Sequence, residues 1–109
     1  MATPVYVGSA TATLKAVMDR TAYISAWNGR VFNGKVGGPL VVARRGGGNF
    51  TVAQLVFWFH AQGLVVPGST YWNIAFGLER GDVEKDEEGL RVAWNFGKNV
   101  ALVAKKLKA

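Results

Sequence analysis

The sequence predicts an α/β domain, a partial three-layer sandwich in which a parallel sheet of about three strands carries helices on both faces. Three observations carry that prediction. Short apolar segments alternate with stretches of helical periodicity, in the order strand, helix, strand, helix, strand, helix. The central segment contains the unbroken run Leu40-Val41-Val42-Ala43, the pattern of a strand buried on both faces. Glycine-bearing turns follow the first two strands, and right-handed crossovers then set the strands side by side.

The elements follow in order. Thr3–Val7 reads as the end of an extended segment, and Gly8-Ser9 turns the chain. Leu14, Val17, Met18 and Thr21 then recur at the spacing of one helix face, with Ser9, Thr11 or Thr13 available to cap the first free amides. "AWNGRVFNGK" carries two Asn-Gly pairs and reads as a loop or short hairpin. The second strand lies within Lys35–Arg45. After "GGGN", residues Thr51–Gln62 are expected to be helical, with Val52, Leu55, Val56 and Phe59 facing inward and Gly63 as the stop. Phe57 and Trp58 give that helix a second apolar face, which points to a subunit contact. Leu64-Val65-Val66 is the expected third strand, and "PGSTYWNIAFGLERGD" the loop after it. Asp86–Leu107 closes the chain as an amphipathic helix, with Leu90, Trp94, Gly97 and Ala101 on one face.

Composition narrows the function. The chain of 109 residues is one domain at most, and half of it is hydrophobic against 18% charged, so it can form a core. With no cysteine, disulfides, thiolate-held metals and cysteine nucleophiles are excluded. No apolar run reaches the roughly 20 residues of a membrane span, and no secretory signal opens the sequence, so the expected location is the cytoplasm. The formal charge of +6 raises the question of nucleic acid. Six of the seven acids, however, lie between Glu79 and Glu88, and four lysines between Lys98 and Lys108, at opposite ends of the last helix. That is helix-dipole chemistry, and no nucleic-acid partner is expected. "RRGGGN" is a single copy without interleaved aromatics, too little for an RNA motif.

"TPVYVGSATATLKAVMDRT", "ARRGGGN" and "DEEGLRVAWNFGKNVALVAKKL" together resemble the NADPH-dependent FMN reductase and iron–sulfur flavoprotein family. The resemblance implies the flavodoxin-like fold and runs over residues 1–109, matching only the C-terminal part of the family's usual chain. It therefore implies a single C-terminal-half domain lacking the N-terminal strands and the phosphate loop. Carried over from the family, the first flavin-ring loop is Thr3, Pro4, Val5, Tyr6, Gly8 and Ser9. The second is Arg44, Arg45, Gly46, Gly47, Gly48 and Asn49. The residue types suit that task, because a loop touching a flat ring needs Pro and Gly where bulk blocks backbone approach. Amides at a helix start favour negative charge on a reduced ring.

The expectation is thus an FMN-binding flavoprotein, an oxidoreductase that takes hydride from NAD(P)H and passes electrons on through the flavin. It would act as a homo-oligomer, dimer or tetramer. No side chain is proposed as acid or base, since hydride transfer to flavin requires none. Two rivals stand beside it: an oligomerising remnant without cofactor, and one half of a split flavoprotein completed by a separate N-terminal half. His60, on an apolar helix without a neighbouring carboxylate, reads as a packed or interface histidine. Lys15 and Asp19, four apart, read as a solvated ion pair, while the family resemblance implies equally that they join a subunit contact; Asp82–Glu88 reads as a solvated helix start.

Overall fold

The computed structural model describes residues 1–108. The order is β1 (Ala2–Pro4), α1 (Ala12–Trp27), β2 (Leu40–Ala43), α2 (Gly48–Ala61), β3 (Ile74–Phe76) and α3 (Glu87–Lys108), with one 3-10 turn at Val83–Lys85. The three strands are parallel, in the order β1-β2-β3. Thr3, Val41 and Ile74 share one row of the register, and Pro4, Val42 and Ala75 the next. Side chains of successive rows point to opposite faces. The Ile74 row meets α2 at Gly48, and Ala75 meets α3 at Gly89, so helices cover both faces.

α1 begins at Thr11, whose Oγ1 accepts from the Leu14 amide at 3.2 Å. Its inner line is Leu14, Met18 and Ser25, while Val17 of the expected face is half exposed. Met18, Val41, Leu55, Phe59 and Ala10 form the core cluster between α1, α2 and the sheet. Trp58 is partly buried in this packing. Its Nε1 donates to the Met18 carbonyl at 2.9 Å, and its ring lies between Phe32 and Phe59. Phe57 alone of the pair is left outside, and His60 is exposed.

Two expectations are corrected. Leu64–Val66 is not the third strand: Val65 makes one isolated parallel bridge, to Val36. Pro67 lacks an amide to continue the ladder. The chain then detours, using the ten residues from Val65 to Ile74 where β2 and its lead use the six from Val36 to Val41. The detour swings Tyr71 and Trp72 out of the sheet and delivers Ile74–Phe76 as β3, inside a stretch whose sequence reads as loop. The buried face of α3 is also different: Gly89, Val92 and Phe96 point inward, and Leu90, Trp94, Gly97 and Ala101 point out. Both sets have helical spacing, so periodicity alone could not choose between them. The small Gly89 decides, because only there can the helix approach β3 closely.

Candidate functional site

Parallel strands deliver their following loops to one edge of the sheet, so the turn after β1 and the turn after β2 emerge together. The first is a tight reversal. The Tyr6 amide donates to the Ser9 carbonyl at 2.9 Å and the Ser9 amide returns a bond to the Tyr6 carbonyl at 3.2 Å. Between them Val7 (φ 52°) and Gly8 (φ 75°) both lie in the left-handed region. Gly8 is at ease there. Val7 is not, since a β-branched side chain with positive φ is strained, and it stands fully exposed at the tip. A Val7→Asn variant should be more stable by about 1 kcal/mol, because Asn tolerates the left-handed region. Thermal unfolding should show it as a rise of roughly 4–8 °C. An unchanged or lower Tm would mean that Val7 is not strained at the tip.

The second turn is pinned to the first. Gly47 (φ 85°) has its backbone against Gly8, so that a Cβ there would lie 2.8 Å from the Gly8 Cα and 3.0 Å from the Val5 Cγ1. Gln54, on α2, completes the link: its Oε1 accepts from the Ser9 hydroxyl at 3.0 Å and from the Ala10 amide at 2.9 Å. Sequence reasoning misses Gln54, which carries no motif. Thr3 is buried, with its hydroxyl donating to the Pro4 carbonyl at 2.8 Å and accepting from the Thr11 amide at 3.3 Å. Thr3 and Ser9 therefore hold the loop in shape, while Pro4, Tyr6, Arg44 and Arg45 are exposed. Above Gly8 and Gly46 a Cβ would meet nothing within 4 Å, so bare backbone faces open space. That is a floor a flat ring can lie on.

Against the Arg45–Asn49 turn, and lined by all five of its residues, lies an open pocket of about 550 Å³. Phe50, Tyr71, Trp72 and Phe76 wall it, with Asp86 and Glu88 at the start of α3. The sequence offers one sign of it, the concentration of aromatics in residues 71–76, within a stretch that otherwise reads as loop. Asp86 is engaged internally: its Oδ2 accepts from the Phe76 amide at 2.7 Å and its Oδ1 from the Gly89 amide at 2.9 Å. Nearby, Asp82 accepts from the Glu79 amide, the Lys85 ammonium and the Leu78 amide, which hold its carboxyl below the ordinary range. Among the described residues no three His, Asp or Glu side chains are grouped to hold a metal, and no helix is long and apolar enough to cross a membrane.

A parallel sheet whose adjacent strands end in paired glycine turns, with helices on both faces, defines a flavodoxin-like α/β protein. The fold matches the crystal structure of the flavodoxin, WrbA-like protein from Agrobacterium tumefaciens with a TM-score of 0.62 at 23% identity, over 90% of this chain and 64% of that one. The sequence profile of the NADPH-dependent FMN reductases matches residues 1–79, and the chain belongs to that family. It is 35% identical to an iron-sulfur flavoprotein of Methanocaldococcus jannaschii over 99% of this chain and 58% of that protein. It is equally 35% identical to the iron-sulfur flavoprotein of Archaeoglobus fulgidus, over 99% of this chain and 60% of the relative. The chain thus spans a little over half the length of these relatives.

Proposed function

We propose that the paired turns hold the ring of FMN, and that the protein is a flavin-dependent oxidoreductase fed by NAD(P)H. One observation carries the reading: Gly8 and Gly47 meet backbone to backbone at the strand ends, making one floor from two loops. When bound, the flavin supplies hydride and electron transfer. The chain's own residues position it. Gly8 and Gly46 leave backbone bare to lie under the ring, and Pro4 and Tyr6 bound the floor on the first loop. The Arg44 and Arg45 guanidiniums, both exposed on the second loop, favour negative charge on the reduced ring.

We propose further that copies associate through the exposed stripe Leu90, Trp94 and Ala101 of α3. Glu87 and Glu88 flank it at one end and Lys105 and Lys106 at the other, so an antiparallel pairing sets acid against base.

The test is titration of the purified chain with FMN and with riboflavin, followed by flavin fluorescence, with mass by light scattering on the same samples. The expected result is saturable binding of both, FMN gaining less than about tenfold over riboflavin, because the two loops address the ring. The mass should be a multiple of one chain. No binding of either flavin favours the cofactor-free remnant, and recovery of binding on adding a separate N-terminal half favours the split protein. A clean monomer removes the association.

A further inference from the structure

We infer that the 550 Å³ pocket beside β3 is a second binding site, for a planar aromatic anion, adjoining the proposed flavin floor and sharing the Arg45–Asn49 turn with it as one wall. Its volume lies within the usual range for small-molecule sites, roughly 300–1,000 Å³. Its walls are the unusual part. Phe50, Tyr71, Trp72 and Phe76 are 66%, 62%, 54% and 48% exposed, four large aromatic surfaces gathered around one hollow. Scattered apolar residues on a surface are ordinary, but a cluster around a concavity marks a binding surface. Tyr71 and Trp72 already pack on each other, at 4.7 Å between centroids, so the wall is partly ordered without a ligand. The detour after Val65 is what places them there.

The polar groups give the ligand its charge. Gly48, Asn49 and Phe50 line the pocket and form the first turn of α2, ahead of the first intrahelical bond, from the Thr51 amide to the Gly47 carbonyl. Gly47 has no side chain with which to cap them. Arg45 stands on the same wall. Across the hollow, the Asp86 carboxylate is occupied by the Phe76 and Gly89 amides, which leaves Glu88 as the free acid on that side. A ring resting on Trp72 and Phe76 therefore turns an anionic group toward Arg45 and the α2 amides, away from Glu88. Aromatic carboxylates and sulfonates fit this polarity, and neutral aromatics lack half of it.

None of Thr3 to Ser9 lines this pocket, but Arg45–Asn49 serve both it and the proposed flavin floor, so bound FMN and a pocket ligand would meet at that turn. The experiment uses the flavin-free chain and 2-naphthoate as probe, followed by amide chemical shifts, with 2-naphthamide as the neutral match. Naphthoate should bind saturably and at least about fivefold tighter than the amide, with shifts concentrated in Arg45–Phe50 and Tyr71–Phe76. Trp72→Leu should weaken it about tenfold, Trp72→Phe should restore most of that, and Arg45→Gln should remove the preference for the anion. Trp72 is exposed, so these variants should fold. Equal affinity for acid and amide, or naphthoate binding indifferent to Trp72→Leu, overturns the assignment.

Discussion

Gly47→Ala is expected to destabilise the protein by about 2–5 kcal/mol and to abolish flavin binding. Two costs add. Gly47 holds φ 85°, a left-handed geometry that costs an L side chain roughly 1–2 kcal/mol. Its new methyl would also sit 2.8 Å from the Gly8 Cα, and backbone cannot step aside as a flexible side chain does. Overpacking of this kind costs about 1–3 kcal/mol. The turns must separate, and the proposed floor is split. The neighbouring Gly46→Ala is the control, since a Cβ there meets nothing within 4 Å and Gly46 does not require positive φ. It should leave the urea midpoint nearly unchanged yet weaken FMN at least tenfold, about 1.4 kcal/mol, because its methyl occupies the space above the floor. If Gly46→Ala binds FMN like the parent chain, the ring does not lie there, whatever Gly47→Ala does.

Much of this architecture is written in local sequence. The Leu40–Ala43 run has the pattern of an interior strand and forms one, Thr11 stands where a cap is wanted, and Gly63 ends α2 with φ 77°. What escapes depends on distance in space. β3 is only three residues long and follows polar and aromatic ones, so its pattern is weaker than that of Leu64–Val66. The structure gives the stronger run a single bridge because Pro67 and the detour intervene. The two glycine turns are visible individually, but their mutual contact is not, and neither is the role of Gln54 in fastening them. Trp58 shows the same limit: a helix apolar on two sides signals a second partner, and the sequence does not show that Trp58 reaches the Met18 carbonyl of α1.

These elements share a logic. α2 carries the Arg45–Asn49 turn at its start, Gln54 further along to grip the first loop, and Leu55 and Phe59 in the core below. Core packing thereby sets the separation of the two turns, and any change that shifts α2 must move the floor. α3 plays the matching part on the other face, where Asp86 binds both the end of β3 and the first turn of the helix.

The same helix provides the second large effect, a pair of glycine-to-alanine changes with opposite sign. In an exposed helix interior alanine is better than glycine by about 0.8–1.0 kcal/mol. Gly97 is exposed, and a methyl there would meet nothing within 4 Å, so Gly97→Ala should raise Tm by roughly 4–8 °C. Gly89 is buried, and a Cβ there would lie 2.8 Å from the Ala75 Cβ and 2.9 Å from its Cα, and would strike the Asp86 carboxylate as well. α3 would have to lift from β3, breaking the Asp86 bonds that join Phe76 to Gly89. The overpacking cost, about 1–3 kcal/mol, exceeds the gain in helix propensity, and loss of the cap adds about 1 kcal/mol more. Gly89→Ala should therefore lower Tm by several degrees and disturb Phe76 at the pocket wall, weakening naphthoate while Gly97→Ala leaves it alone. Two changes identical in chemistry, eight residues apart on one helix, would then differ only in what stands opposite them. A Gly89→Ala protein as stable as Gly97→Ala would mean that α3 does not rest on β3 at that point, and the pocket would lose its floor.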